Sequence, residues 1–155
     1  MLYKHLVVPI DGSPTSLAAV DAAVPLARAF GSTVTVIYVI EGPTSEPDSR
    51  LADYLSAARA YGPTPVEDPE YAEAASALEE AAKRFAAEGV TAETRTVVAE
   101  APWRGILDTV ESTNASLIVI GSHGRRGLRR LVLGSVTQNV MMHTETAMLV
   151  VRGTE

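Results

Sequence analysis

The sequence has no cysteine and few aromatic residues. Without cysteine among its 155 residues, disulfides, thiol chemistry and cysteine-ligated metals are excluded. Aromatic side chains make up 5% of the chain and hydrophobic residues 46%, so aliphatic and alanine packing must fill the core. The length suits one domain with a real core and is too short for two ordinary ones. We therefore expect a single domain over residues 1–155.

The chain also lacks an excess of positive charge and any long apolar run. Its formal net charge is −6, which argues against a general binder of nucleic acid or anionic membranes. No apolar run approaches the roughly 18 residues that would span a bilayer. The start, Met1 to His5, leads directly into an apolar segment and has no signal-peptide profile. We expect a cytoplasmic protein with no nucleic-acid or membrane partner.

Apolar and alternating segments predict five strands, and segments of helical periodicity between them predict four helices. This alternation predicts an α/β fold with a parallel sheet and helices on both faces. Pro25 lies inside the first helical pattern, so that helix should bend or break there. The predicted strands are 3–10, 34–40, 91–98, 117–120 and 147–151, and the predicted helices are 14–30, 69–88, 102–113 and 136–143.

Residues 41–66 resist assignment because prolines break any long element there. Residues 50–60 have the spacing of a short amphipathic helix. One interpretation is a lid over a ligand. The interpretation we favour is a variable, mobile surface insertion.

A glycine motif follows the fourth predicted strand. Gly121-Ser122-His123-Gly124 is separated by nine residues from Gly134-Ser135, which precedes the last predicted helix. Glycine permits close backbone approach, and a helix N-terminus offers unpaired amides with partial positive charge. The motif predicts a phosphate-binding loop in which Ser135 caps the helix or donates to a phosphate. No lysine follows Gly134, so it is not a P-loop, and a turn that binds nothing is the alternative.

The spacing G-x-x-G, nine residues, G-(S/T) resembles the nucleotide motif of the universal stress protein family. Gly121, Gly124, Gly134 and Ser135 match that motif position by position, and Leu6 to Ser13 resembles the family's opening strand and turn. The resemblance covers the chain except residues 41–66. The resemblance is to the ATP-binding branch of the family. It implies that the ligand is ATP and that Mg²⁺ accompanies the nucleotide. It also implies a flavodoxin-like or Rossmann-like open sheet of five strands in the order 3-2-1-4-5.

In that strand order, ligands bind beyond the carboxyl ends of strands one and four, where the chain changes direction. Asp11 leaves the first of these ends and Gly121 the second. The family resemblance implies that Asp11 contacts the nucleoside and that Val39 contacts adenine through its backbone. For Asp11 the alternative is a turn residue that bonds its own backbone. The phosphates would be held by Gly121, Gly124, Gly134, Ser135 and the amide of Val136.

Four arginines lie in the nine-residue spacer, and we place Arg125 among the phosphate contacts. A solvated arginine run is the alternative. His123 either bonds a phosphate or is a loop residue with no catalytic part. Efficient phosphoryl transfer needs a positioned water and charge clamps, and no residue is committed to either role.

The functional hypothesis is an ATP-binding universal stress protein that acts in stress response or signalling, with slow or no hydrolysis. The alternatives are a genuine ATPase and a nucleotide-free interaction protein of the same fold. The resemblance further implies a homodimer through the last strand, Ala147 to Val151, whose apolar edge invites pairing. The proline that family members often carry before that strand is absent here, and a monomer guarded by Arg152 is the alternative.

Overall fold

The computed structural model describes residues 2–42, 68–124 and 133–153, in which five strands alternate with four helices as predicted. The interpretations of the insertion and of Arg125 fall on residues outside these ranges. The strands are β1 (His5–Ile10), β2 (Thr33–Glu41), β3 (Ala92–Ala99), β4 (Leu117–Gly121) and β5 (Ala147–Val151). The helices are α1 (Pro14–Phe30), α2 (Pro69–Ala87), α3 (Pro102–Thr113) and α4 (Ser135–His143).

The five strands form one parallel sheet in the order β3-β2-β1-β4-β5, which confirms the predicted order. Strand β1 pairs with β2 from His5 to Ile10, but with β4 only at Leu6 and Val7. Pro9 has no N–H to donate to a ladder, so a proline near the end of β1 favours its separation from β4. The two strands therefore part toward their carboxyl ends and leave a crevice between them.

Alternate side chains of the strands build two hydrophobic cores, one on each face of the sheet. Leu6 and Val8 face α1 and α2, whereas Val7 faces α3 and α4. Phe85 of α2 is fully buried in the first core, and Val140 of α4 in the second. Because both faces are covered, the central strands are apolar on consecutive positions.

Local capping signals begin α1 and α2 and end α1 and α3 as predicted. The Ser13 hydroxyl accepts a hydrogen bond from the amide of Ser16 at 3.2 Å and begins α1. Gly31 and Asn114 end α1 and α3 in the left-handed conformation, with φ of 63° and 50°. Asp68 begins α2 by accepting from the amide of Glu70.

Two predicted details differ in the structure. Of the predicted bend or break at Pro25, the break is wrong, because helix α1 runs without interruption from Pro14 to Phe30, and the bend stays a prediction. The buried neighbours Val24 and Ala27 anchor the helix to the sheet on either side of the proline, so tertiary packing outweighs the lost hydrogen bond. The first strand begins at His5 instead of Tyr3, because Tyr3 occupies a turn with φ of 53°.

None of the described helices is long and apolar enough to cross a membrane.

Candidate functional site

A cavity of about 400 Å³ lies in the crevice between the carboxyl ends of β1 and β4. Its volume is within the range of about 300–1,000 Å³ that is usual for small-molecule sites. The cavity extends across the end of the sheet from α4 beside β4, past β1, to β2 and α3. Neighbouring strands are spaced about 4.8 Å apart, so the crevice spans about 10 Å from β2 to β4.

At the β4 end, two hydrogen bonds fix the start of α4 against the strand. The Gly134 amide donates to the carbonyl of Ser122 at 2.7 Å. The buried Thr137 hydroxyl donates to the carbonyl of Gly121, also at 2.7 Å. These bonds hold the first turn of α4 at the rim of the cavity, where Ser135 and Val136 contribute to the lining.

The first turn of α4 has no side-chain cap among the described residues. Glycine occupies the N-cap position and offers no acceptor. Of the two roles predicted for Ser135, the cap is wrong, because Ser135 is the first helical residue and is exposed. Its donation to a phosphate stays a prediction. The first amides of a helix have no partner within the helix. This end of the cavity is suited to an anion.

The motif glycines allow close contacts that shape the crevice. A Cβ on Gly121 would lie 2.9 Å from Cγ2 of Thr15, and one on Gly134 would lie 3.0 Å from Cα of His123. A Cβ on Gly124 would collide with Oδ2 of Asp11. Packing against backbone atoms thus favours glycine at positions 121 and 134 independently of any ligand, whereas at position 124 the Asp11 side chain would have to move.

Asp11 lies between the two ends of the cavity. Its Oδ1 accepts a hydrogen bond from the Ser13 amide at 2.9 Å, which is the turn geometry expected from the alternative interpretation. Its Oδ2 faces Gly124, although the two residues are far apart in sequence. Asp11 is half-buried and lines the cavity. The turn geometry of Asp11 is therefore observed, and its contact with a nucleoside stays a prediction.

The opposite end of the cavity is largely apolar. It is formed by Tyr38 and Val39 of β2 and by Pro102 and Ile106 of α3, with Glu41 at the rim. Helix α3 begins with a proline, and its N-cap, Ala101, makes no side-chain bond. Proline removes one of the amides that an anion would need. This end therefore suits a flat apolar group better than a charged one.

Among the described lining residues, the titratable side chains are Asp11, Tyr38, Glu41 and His123, and none is lysine or arginine. His123 Nδ1 lies 3.4 Å from the carbonyl of Gly124, a long contact that fixes the ring only loosely. The described residues contain no group of three or more side chains that could hold a metal ion. A divalent ion here would depend on ligands from the bound molecule.

The structure places seven of the eight predicted site residues around this one cavity: Asp11, Val39, Gly121, Gly124, Gly134, Ser135 and Val136. The eighth, Arg125, lies outside the described residues. Sequence reasoning missed Tyr38, Glu41, Pro102, Ile106 and Thr137. The predicted strand order already placed β2 beside β1, so the residues that end β2 could have been found. The contribution of α3 could not, because no local pattern shows which strand a helix covers.

Comparison with known proteins gives consistent matches over nearly the whole chain. The model of the universal stress protein family matches residues 2–152. Universal stress protein MJ0531 of Methanocaldococcus jannaschii is 31% identical over 97% of this chain and 83% of its own length. Universal stress protein YxiE of Bacillus subtilis is 30% identical over 97% of this chain and 100% of its own.

A solved structure gives the same result for the fold. A universal stress protein in complex with cAMP superimposes with a TM-score of 0.72 at 29% identity. The match covers 99% of this chain and 100% of the other.

Proposed function

The chain belongs to the universal stress protein family, and from this membership and the geometry of the crevice we propose that it binds an adenine nucleotide, with ATP as its ligand. The observation that carries the proposal is the first turn of α4. It has no side-chain cap among the described residues, and it faces a cavity whose other end is apolar. A nucleotide has this same polarity, with phosphates at one end and a flat base at the other.

The polarity of the cavity sets the orientation of the nucleotide. The phosphates accept from the amides of Ser135 and Val136 and from the Ser135 hydroxyl, next to Gly121, Gly124 and Gly134. The ribose lies over β1, where Asp11 accepts from a hydroxyl group. The base lies against Val39 and α3. The span of about 10 Å from β4 to β2 matches the reach of a nucleoside phosphate.

The related structure supports an adenine nucleotide as the ligand class. That protein binds cAMP, and its chain aligns with this one over nearly the full length of both. We infer the triphosphate from the match of Gly121, Gly124, Gly134 and Ser135 to the family's nucleotide motif. Mg²⁺ would enter with the nucleotide and be held chiefly by phosphate oxygens and water.

We propose further that the bound nucleotide is held without efficient hydrolysis, as in a sensor or signalling protein for the stress response. Rapid phosphoryl transfer needs cationic groups that clamp the leaving phosphates. The sequence commits no residue to such a clamp or to positioning the attacking water, and the four arginines of the nine-residue spacer lie outside the described residues. A genuine ATPase would instead hydrolyse ATP at typical enzymatic rates and would lose that rate on Asp11→Ala.

A nucleotide-free interaction protein is the competing proposal, and one observation favours it. Two of the three motif glycines, Gly121 and Gly134, are already favoured by contacts with backbone atoms of the protein. The motif could therefore persist for packing alone. Direct binding measurements separate the two proposals.

We also propose that two copies of the chain pair through β5. This strand is at the edge of the sheet and pairs only with β4 among the described strands. Leu149 in its centre is 38% exposed. The cytoplasmic location remains a prediction from the sequence.

Calorimetric titration of the nucleotide-free protein with ATP and Mg²⁺ tests the binding proposal. We expect Ser135→Ala to weaken binding about tenfold or more, because a hydrogen bond to a charged group contributes about 1.5–3 kcal/mol. Gly134→Val should abolish binding. Gln138→Ala, an exposed position on the same helix and outside the cavity lining, is the matched control. Absence of heat with the wild type, and of nucleotide released on denaturation, would reject ATP binding.

A further inference from the structure

A glycine in α3 sets how closely that helix approaches β2. Gly105 is the fourth residue of α3 and is buried. Glycine is among the least favourable residues inside a helix, because its backbone loses the most freedom on ordering. The structure gives a reason for its presence here. A Cβ on Gly105 would lie 2.9 Å from Cγ1 and 3.1 Å from Cγ2 of Val39, and 3.2 Å from Cβ of Ala99.

This contact lies next to the apolar end of the cavity. Val39 lines the cavity, and so do Pro102 and Ile106, which flank Gly105 on the same helix. Ile106 is 2% exposed and belongs to the core between α3, α4 and the sheet. The distance between α3 and β2 therefore sets the width of the slot between Val39 and these two side chains. Any residue larger than glycine would displace the Val39 side chain or α3 itself, and either shift changes that width.

We propose that Gly105 is a positioning residue for the base of the bound nucleotide. Its missing side chain lets α3 close on Val39 to form a slot that fits a flat ring. The inference rests on the proposed nucleotide function and adds a specificity device to the same site. Gly105 acts through Val39, Pro102 and Ile106, and it is not itself a residue of the cavity lining.

The proposal separates base recognition from phosphate recognition. Phosphates bind at α4, beside β4, whereas Gly105 affects only the end beside β2. A substitution at Gly105 should lower the affinity for ligands that carry a base. It should leave unchanged the affinity for a ligand that carries only sugar and phosphate. A general loss of folding would weaken both.

The test is the affinity of four proteins for AMP and for ribose 5-phosphate: the wild type, Gly105→Ala, Val39→Ala and the double variant. We expect Gly105→Ala to lower the affinity for AMP about tenfold or more, which is the effect of one methyl group in a tight apolar site. Ribose 5-phosphate should change less than about twofold. In the Val39→Ala background, the alanine at position 105 should have a smaller effect on AMP, because both clashing Cγ atoms are gone. Arg104→Ala, the exposed neighbour on α3, should change neither affinity.

Three results with the variants would overturn the inference. The first is an equal loss for both ligands in Gly105→Ala, and the second is no loss for AMP. The third is a loss of AMP affinity on Gly105→Ala that is equally large in the wild type and in Val39→Ala. Should Gly105→Ala fail to fold, we expect the double variant to fold, because both clashing Cγ atoms are gone, and to bind AMP with the affinity of Val39→Ala. A double variant that folds but binds AMP much more weakly than Val39→Ala would overturn the inference. If the wild type binds ribose 5-phosphate and AMP with equal affinity, the proposal of a slot for the base is rejected, whereas the proposal of phosphate binding at α4 stands. If it binds neither, the proposed function and this inference fail together.

Discussion

At the scale of single residues, His5 shows how the environment of one side chain makes stability depend on pH. Its Nε2 lies 2.9 Å from the Thr35 hydroxyl and its Nδ1 lies 2.7 Å from the Thr33 hydroxyl. Burial lowers the pKa of His5 below its usual value of 6.5, and Arg95 lowers this pKa further, against a smaller opposing effect of Glu93. The folded protein therefore binds the His5 proton less tightly than the unfolded chain does.

We predict that the free energy of unfolding decreases as the pH falls below about 6.5, because the unfolded chain then binds more protons at His5. Above that pH the contribution of His5 is fully present. Urea unfolding between pH 5 and 8 should show this decrease in the wild type and a smaller one in His5→Gln, which keeps a donor and an acceptor but does not titrate. An identical pH dependence in the two proteins would contradict the assignment to His5. His143→Gln, at an exposed histidine, is the matched control.

The same scale shows what a sequence can and cannot reveal about this site. Gly121, Gly134 and Ser135 were found because their chemistry is local: glycine and serine beside a strand end and a helix start. The Thr137 hydroxyl on the Gly121 carbonyl, and the methyl group of Thr15 against Gly121, were not predicted. Each of these contacts joins elements that are distant in sequence, so it depends on the packing of helix against strand.

At the scale of secondary-structure elements, capping chemistry accounts for most of the predicted boundaries. Ser13 and Pro14 begin α1 where predicted, and Gly31 ends it. The start of α4 was misjudged by one residue because glycine and serine both suit an N-cap. The bond from the Gly134 amide to Ser122 places the glycine there, and it belongs to the tertiary structure.

Helix α1 tests the balance between helix propensity and packing. Pro25 removes the hydrogen bond to the carbonyl of Asp21, which costs about 3 kcal/mol in a helix interior. We predict that Pro25→Ala stabilises the protein by about 2 kcal/mol, since the more flexible unfolded chain offsets about 0.4–1 kcal/mol of the gain. Urea unfolding measures the change.

Pro14→Ala is the matched control in the same helix. Pro14 occupies the first turn, where no helical hydrogen bond is lost, so its replacement should not stabilise the protein. A destabilising Pro25→Ala, or equal effects at the two positions, would show that α1 has adapted to the proline in a way that alanine cannot restore.

At the scale of the whole molecule, the strand order was predictable and the site followed from it. The alternating pattern and the family resemblance together gave the order 3-2-1-4-5, and this order brings Asp11 and Gly124 together. The base end of the cavity was only partly predicted. Val39 was carried over from the family resemblance, whereas the contributions of Pro102 and Ile106 depend on how α3 lies over the sheet.

Pairing of two copies through β5 gives a prediction at this scale. We expect the wild type to have the mass of a dimer by light scattering at micromolar concentration, because β5 is an edge strand among the described strands and its Leu149 is exposed. Leu149→Lys should shift the mass to that of a monomer. Met142→Lys removes another exposed apolar side chain, on α4, and should leave the dimer intact. A monomeric wild type, or equal effects of both variants, would argue against pairing through β5.

The central claim is that the crevice binds an adenine nucleotide with its phosphates at α4 and its base at β2 and α3. The most direct test is a crystal structure of the protein grown with ATP and Mg²⁺. We predict phosphate oxygens within hydrogen-bonding distance of the Ser135 and Val136 amides, a ribose hydroxyl at Asp11, and the adenine ring against Val39. Phosphates at the start of α3, or a crevice empty of nucleotide at saturating ATP, would contradict the account.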